Sequence, residues 1–535
     1  MRVLPVKNED SREMDAESTK ASPVIGRTVI DNPSFDMLRT MTAAMPNARL
    51  TEFDNYNVAT RVVARSKGST YIVTDSLDQH SDQTISRAEA DRMARLQDDY
   101  MRGQEMIVID GFIGNDPDFK VPARLIIERA AVNIAAMQKM LFFSASDAER
   151  ASFTPATTVL YSCGLKAEGY PDDRLIAVDL DRMVTRVFNS DYFGESKKGG
   201  LRMWNKIVYD RGGLALHAGC KVIPTSRGDR VGLIVGLSGT GKTTTTFTRQ
   251  NDSRPVQDDF VGLMPGGRVY ASENGCFAKT FGLDPRFEPT IYKAVCQPRA
   301  YLENVSQSGD KLDFFDSSYT QNGRAVFTMS EVEGAGDARE IEKADFLLIL
   351  NRNDSIIPGV ARLEGAVAAA YFMLGETKGT SAGGAEEAGK SLRIPGTNPF
   401  FPLLHAQQGN RFLELLRDSP MDVYLLNTGR VGGGESDERS RKVKIPHSSA
   451  IVRGIAEGTI AWQRDSDFGY DVATHVPGIA REDEVLLRPR ELYASQGRLD
   501  EYEALVRRFR QERVAYLRGW PGLAEEIVRA CAGGA

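Results

Sequence analysis

Gly236-Leu-Ser-Gly-Thr-Gly-Lys-Thr243, followed by Thr244, Thr245 and Thr246, is the stretch that organises the chain. It matches the phosphate-loop pattern of a glycine, four residues, then Gly-Lys-Ser/Thr. Residues 231–235 read as a short apolar strand, and residues 243–249 can begin a helix. A strand that turns through glycines into a helix N-terminus aims bare backbone N–H groups at one spot, and the helix dipole adds positive potential there. Gly236, Leu237, Ser238, Gly239, Thr240 and Gly241 would then cradle the phosphates of a nucleoside triphosphate. Lys242 would reach the terminal phosphates, and the Thr243 hydroxyl would hold a divalent metal. The plain alternative is a glycine-rich turn that matches by chance. The agreement of strand, turn and helix argues against it.

The chain has 535 residues, room for two or three domains at roughly 150 each. Its 41% hydrophobic and 26% charged residues describe a globular protein with material for a large core. A net charge of -6 excludes a general polyanion binder, so the expected partners are small molecules and not nucleic acid. Five scattered cysteines (Cys163, Cys220, Cys276, Cys296, Cys531) lack metal-type spacing and fit a reduced compartment. Residues 1–22 are polar, lack the apolar segment of a secretory signal, and are expected to be flexible. No apolar run approaches the ~20 residues of a membrane helix. A cytoplasmic protein, monomeric or a small homo-oligomer, is the expectation.

Short apolar strands alternate with helical patterns along the chain, which predicts mixed α/β architecture. Strands are expected at 70–74, 105–112, 157–161, 214–223 and 344–351. Helices are expected at 122–141, 361–374 and 500–520. Residues 375–395, rich in Gly, Ala, Ser and Thr, suit either a mobile loop or a surface linker.

Four further segments carry polar residues that a phosphate site can use. In Tyr192-Phe-Gly-Glu-Ser-Lys197-Lys198-Gly199, adjacent lysines at a helix start point about 100° apart, so one can face a phosphate and the other a metal or substrate. Such a pair also suits a solvated surface turn. His217 interrupts the apolar run Leu214-Ala-Leu-His-Ala-Gly-Cys220, as a hydrogen-bonded core residue or as a metal ligand. Asp258-Asp259 is compatible with metal-holding carboxylates or with a turn. Glu273-Asn-Gly-Cys-Phe-Ala-Lys279-Thr280 adds another acid and lysine.

GLSGTGKT, YFGESKKG, LALHAG, VQDD and ENGCFAKTFGL…EPTIYKAV…ENV occur in the order found in the ATP-dependent phosphoenolpyruvate carboxykinase family, which this chain resembles from about Val62 to Tyr493. DGFIGNDPDFKVPARLI and LLNTG also look like that family's segments. The resemblance implies a mixed-sheet N-terminal substrate domain (23–213) and a phosphate-loop C-terminal nucleotide domain (214–535), with a mobile lid near 375–397. It implies conversion of oxaloacetate and ATP to phosphoenolpyruvate, ADP and carbon dioxide. By motif match, Lys198, His217 and Asp259 resemble the ligands of a transition metal, usually Mn²⁺. Thr243, with Asp258 nearby, resembles the Mg²⁺ side. Lys197 would steady the enolate or the phosphoryl group. Ser238 and Tyr192 resemble residues beside the substrate. Arg65 resembles the arginine that grips substrate carboxylate, and Arg324 the arginine that bridges substrate and γ-phosphate. Lys279 and Lys442 match positions on the nucleotide side.

Three departures accompany the match. Phe260 stands where the family has a glutamate, Arg65-Ser-Lys-Gly-Ser-Thr70 replaces the usual Arg-Ser-Pro-Lys-Asp-Lys, and residues 380–397 are rewritten. Losing a partner behind a metal ligand costs about 10–100-fold in metal affinity or activity. These changes leave open a carboxykinase-like kinase acting on another small-molecule or protein acceptor.

Overall fold

The computed structural model describes residues 26–76, 80, 83–237, 239–378 and 391–532. Ser238 and residues 379–390, where most of the expected lid falls, lie outside the described residues, as does the expected flexible segment 1–22. Two eight-stranded sheets, a five-stranded sheet and smaller ladders pack with helices, the mixed α/β architecture that the alternation predicts.

The first large sheet runs, in spatial order, 28–31, 105–113, 121–128, 157–162, 184–188, 175–179, 70–73 and 84–85. The helix expected over 122–141 is two elements, a strand Val121–Glu128 and a helix Val132–Leu141. Ile126 and Ile127 favour extended backbone, and the strand pairs with Val108 and Ile107 on one side and with Leu160 and Tyr161 on the other. The following helix is buried almost all round, so no amphipathic period marked where it starts.

The second large sheet runs 254–257, 218–225, 228–235, 346–351, 422–427, 360–363, 471–475 and 461–464. Gly228–Val235 and Phe346–Asn351 pair in parallel, and all six residues of Phe346–Asn351 are buried. The strand expected at 214–223 divides at His217. Leu214–Leu216 joins a three-stranded sheet beside Val261–Leu263, while Ala218–Thr225 joins the large sheet. His217 therefore sits where the chain passes from one sheet to another. The helix expected over 361–374 is a strand, Val360–Leu363, followed by a helix, Gly365–Leu374, because Gly365 takes a positive φ of 49° at the junction.

A five-stranded sheet joins the two halves of the chain, with Tyr56–Val58 running parallel to Tyr301–Glu303. The helix Phe193–Asp210 buries Phe193, Leu201, Met203 and Trp204 in one core with Val159, Tyr161 and Val187 of the first sheet. Gly199 permits that approach. A Cβ there would lie 2.9 Å from Thr185 Cγ2, so a larger residue would push helix and sheet apart.

Candidate active site

The candidate site is built from the ends of elements. The strand Gly228–Val235 ends in the glycine-rich turn, which Gly239 (φ 85°) and Gly241 (φ 95°) bend in the left-handed region. A helix follows at Lys242–Phe247. Asp258 and Asp259 follow the strand Arg254–Gln257 directly, and Lys197 and Lys198 lie near the start of the helix Phe193–Asp210. Together with Arg65, Tyr192, Lys279, Arg324 and Phe400, these segments surround a cavity of about 330 Å³.

Asp259 is the centre of charge. Its Oδ1 lies 2.9 Å from His217 Nε2 and 2.8 Å from Lys242 Nζ. Its Oδ2 lies 3.0 Å from Lys197 Nζ and in contact with Lys198 Nζ. Burial alone would raise this carboxyl, but the cations around it hold it well below the usual range. Burial pushes the Lys198 amine down to about 7 despite Asp259 beside it. Burial, reinforced by the charge of Lys242, pushes His217 down to about 4. Lys197 goes the other way: burial opposes its charge, but Asp259 and Glu273, the latter 2.5 Å away, override it and keep the amine protonated.

These directions bear on whether a cation fits. His217 Nδ1 lies 2.9 Å from the Thr397 carbonyl, so the neutral ring carries its proton there. Nε2 then turns a lone pair toward a carboxylate oxygen. Two acceptors face each other, an arrangement that a bound cation resolves. Among the described residues, no three His, Cys, Asp or Glu side chains gather into a metal-type group. A lysine amine, a donor once deprotonated, would complete such a set with His217 and Asp259, and the lowered basicity of Lys198 favours that. Asp258 supplies a second opening. It is buried, its Oδ1 has no hydrogen-bond partner among the described residues, and Thr243 engages its carboxyl.

The far side of the cavity suits anions. Lys279 and Arg324 are direct cross-strand partners, so two cations share one face. Burial, with Arg324 close by, lowers Lys279 to about 8. Arg324 Nη2 donates to Asn322 Oδ1 at 2.8 Å, while its buried Nε finds no partner among the described residues. The Tyr192 hydroxyl accepts from Asn322 Nδ2 at 3.3 Å. An anion between Lys279 and Arg324 would relieve their mutual repulsion.

The expected residues divide by position. Arg65, Tyr192, Lys198, His217, Leu237, Gly239, Gly241, Lys242, Thr243, Asp258, Asp259, Lys279 and Arg324 line the cavity. Lys197 does not. It lies behind Asp259, wholly enclosed, and borders a separate small pocket. Thr240 folds its hydroxyl back onto the Leu237 carbonyl at 2.7 Å, and Gly236 lies under that side chain. Lys442 is exposed on the short strand Arg441–Lys442 and does not border the cavity. Ser238 is outside the described residues.

Sequence reasoning passed over several residues. Glu288 accepts from the Thr244 hydroxyl at 2.5 Å and borders the cavity. Its quoted context EPTIYKAV was the available signal. Phe400 had none. Its ring lies 4.5 Å from Lys198 Nζ and 5.5 Å from the Arg65 guanidinium. Phe260 is fully buried, 5.0 Å from the His217 ring and 4.9 Å from Lys198 Nζ. It packs against His217 and Lys198 as a wall of the core, an apolar surface where the family pattern has a carboxylate.

Glycine turn, paired carboxylates and converging cations thus meet at one cavity of a protein of mixed α/β fold. A family model described as phosphoenolpyruvate carboxykinase, of the ATP type, matches residues 27–482. This chain belongs to that family. It is 29% identical over 439 residues to the phosphoenolpyruvate carboxykinase (ATP) 1 of Moorella thermoacetica, covering 80% of each chain. It is 28% identical over 423 residues to the phosphoenolpyruvate carboxykinase (ATP) of a Geobacter species, covering 77% of each. It is 29% identical over 413 residues to that of Mesorhizobium japonicum, covering 75% of this chain and 74% of the relative.

Proposed function

We propose that this protein converts oxaloacetate and ATP into phosphoenolpyruvate, ADP and carbon dioxide, with two divalent cations. The observation that carries the proposal is the convergence of Lys198, His217 and Lys242 on Asp259, in a cavity that Arg65, Tyr192, Lys279 and Arg324 also line. Residues 23–213 would supply most substrate contacts, and residues 214–535 the nucleotide contacts.

Residues 236–243 act as the phosphate loop, with turn N–H groups and Lys242 on the β- and γ-phosphates. Thr243 and Asp258 would hold Mg²⁺ with the nucleotide, and Lys198, His217 and Asp259 would hold Mn²⁺. When bound, the two cations supply positive charge against the phosphates and the enolate oxygen. Arg65 grips the substrate carboxylate, and Tyr192 closes the same side. The carbon–carbon bond to that carboxylate breaks and carbon dioxide leaves. The electron pair remains as an enolate, whose oxygen takes the γ-phosphoryl group while ADP departs. Arg324 bridges substrate and γ-phosphate, a planar fork suited to both. Lys197, protonated behind Asp259, keeps that carboxylate ionised. Glu273 shares Lys197, and burial holds its own carboxyl above the usual range. No helix among the described residues is long and apolar enough to cross a membrane.

The test is the initial rate of phosphoenolpyruvate formation with ATP, Mg²⁺, Mn²⁺ and oxaloacetate. Lys242→Ala should abolish it. ATP consumption by the wild type that ignores oxaloacetate and responds to another metabolite would overturn the proposal.

A further inference from the structure

One wall of the cavity is held from outside the family-matched span. Thr377, Leu392 and Ile394 border the cavity, and they belong to a short hairpin, Glu376–Lys378 paired with Ser391–Arg393, or follow it directly. Strand alternation turns their neighbours Glu376 and Arg393, a cross-strand pair, to the opposite face. There they meet the helix Leu499–Arg518, which lies wholly beyond residues 27–482.

The meeting point is a buried ion cluster. Arg513, 1% exposed, forks onto Glu376, with Nε 3.0 Å from Oε1 and Nη2 2.7 Å from Oε2. Its third nitrogen, Nη1, donates to the Tyr371 hydroxyl at 2.9 Å, in the helix that leads into the hairpin. Arg393 Nε donates to the same Glu376 Oε1 at 3.0 Å and its Nη2 to Glu512 at 3.3 Å. One carboxylate thus ties both strands of the hairpin to the C-terminal helix. The tie continues toward the ligand set. A Cβ on Gly375 would sit 1.8 Å from the Ile394 carbonyl oxygen, so the hairpin's two ends touch, and Thr397, three residues on, is the carbonyl that receives His217. A bidentate, fully buried arginine is a directional restraint and adds little net stability by itself.

We propose that the helix Leu499–Arg518 positions the Thr377–Leu392–Ile394 wall of the catalytic cavity through Glu376, with Arg513 and Arg393 as positioning residues. The inference rests on the proposed function for its kinetic readout only. Removing Arg513 would leave Glu376 buried without its principal partner and lower stability as well, so the half-buried Arg393 gives the deciding variant. Full-length Arg393→Met should stay folded, with its thermal midpoint within about 3 °C of wild type, since Arg513 still pairs with both oxygens of Glu376. Its KM for ATP or oxaloacetate should rise about tenfold with a smaller change in kcat, because a displaced wall loosens the bound geometry. Amide exchange at residues 374–378 and 391–395 should quicken, and Arg393→Lys should recover most of the KM. Unchanged KM and unchanged exchange would overturn the inference. So would a loss of kcat that follows the unfolded fraction at constant KM. If the wild type forms no phosphoenolpyruvate, the proposed function falls. The clamp is then judged by exchange and by ATP affinity in calorimetry, where Arg393→Met should bind about tenfold more weakly.

Discussion

His217 presents Nε2 to Asp259 Oδ1 at 2.9 Å while its Nδ1 is committed to the Thr397 carbonyl. A neutral imidazole in that tautomer opposes the carboxylate with a lone pair, and a bridging cation, or a proton on the ring, satisfies both. Histidine is held neutral here because burial and the charge of Lys242 push it down to about 4. His217→Ala should therefore weaken Mn²⁺ binding by at least the roughly 10–100-fold that loss of a supporting partner costs. Calorimetry with Mn²⁺ alone checks this, and an unchanged affinity would remove His217 from the ligand set.

Phe260 fills the space behind His217 and Lys198. Being fully buried against Phe400 and His217, it contributes to packing as well as to the site. Phe260→Ala should cost about 3–5 kcal/mol, the range for deleting a buried ring. Denaturant unfolding measures that cost. A loss under about 1 kcal/mol would mean that the neighbouring rings collapse freely into the gap.

Glu303 predicts a pH effect of definite sign. Burial pushes its carboxyl up to about 8; one oxygen accepts from the Phe193 N–H, and Oε2 has no partner among the described residues. The unfolded carboxyl titrates near 4.5. Between these values the folded state binds the extra proton, so its contribution to stability is present at acid pH and is lost as pH rises from about 4.5 to 8. Glu303→Gln should flatten that fall, matching wild type near pH 5 and exceeding it by about 2 kcal/mol or more at pH 9. Parallel stability curves for the two proteins would contradict it.

The parts of this site that were legible in the sequence are those whose chemistry is local. A glycine turn between an apolar strand and a helix must look as Gly236–Thr243 does, and a histidine inside an apolar run, such as His217, announces an unusual demand. The helix expected at 122–141 failed because Val121–Glu128 and Val132–Leu141 are both buried on nearly every side, which erases the period that separates strand from helix. Phe400, Glu376 and Arg513 were illegible for another reason. Their roles come from pairings across long sequence distances, such as Arg513 with Glu376, that leave no spacing to read.

The most direct measurement is the product balance of the wild-type protein supplied with oxaloacetate, ATP, Mg²⁺ and Mn²⁺. Phosphoenolpyruvate, ADP and carbon dioxide should appear in equal amounts, and all three should cease when either oxaloacetate or the divalent cations are withheld. ADP released without matching phosphoenolpyruvate would contradict the assignment of the Asp259-centred site to this reaction.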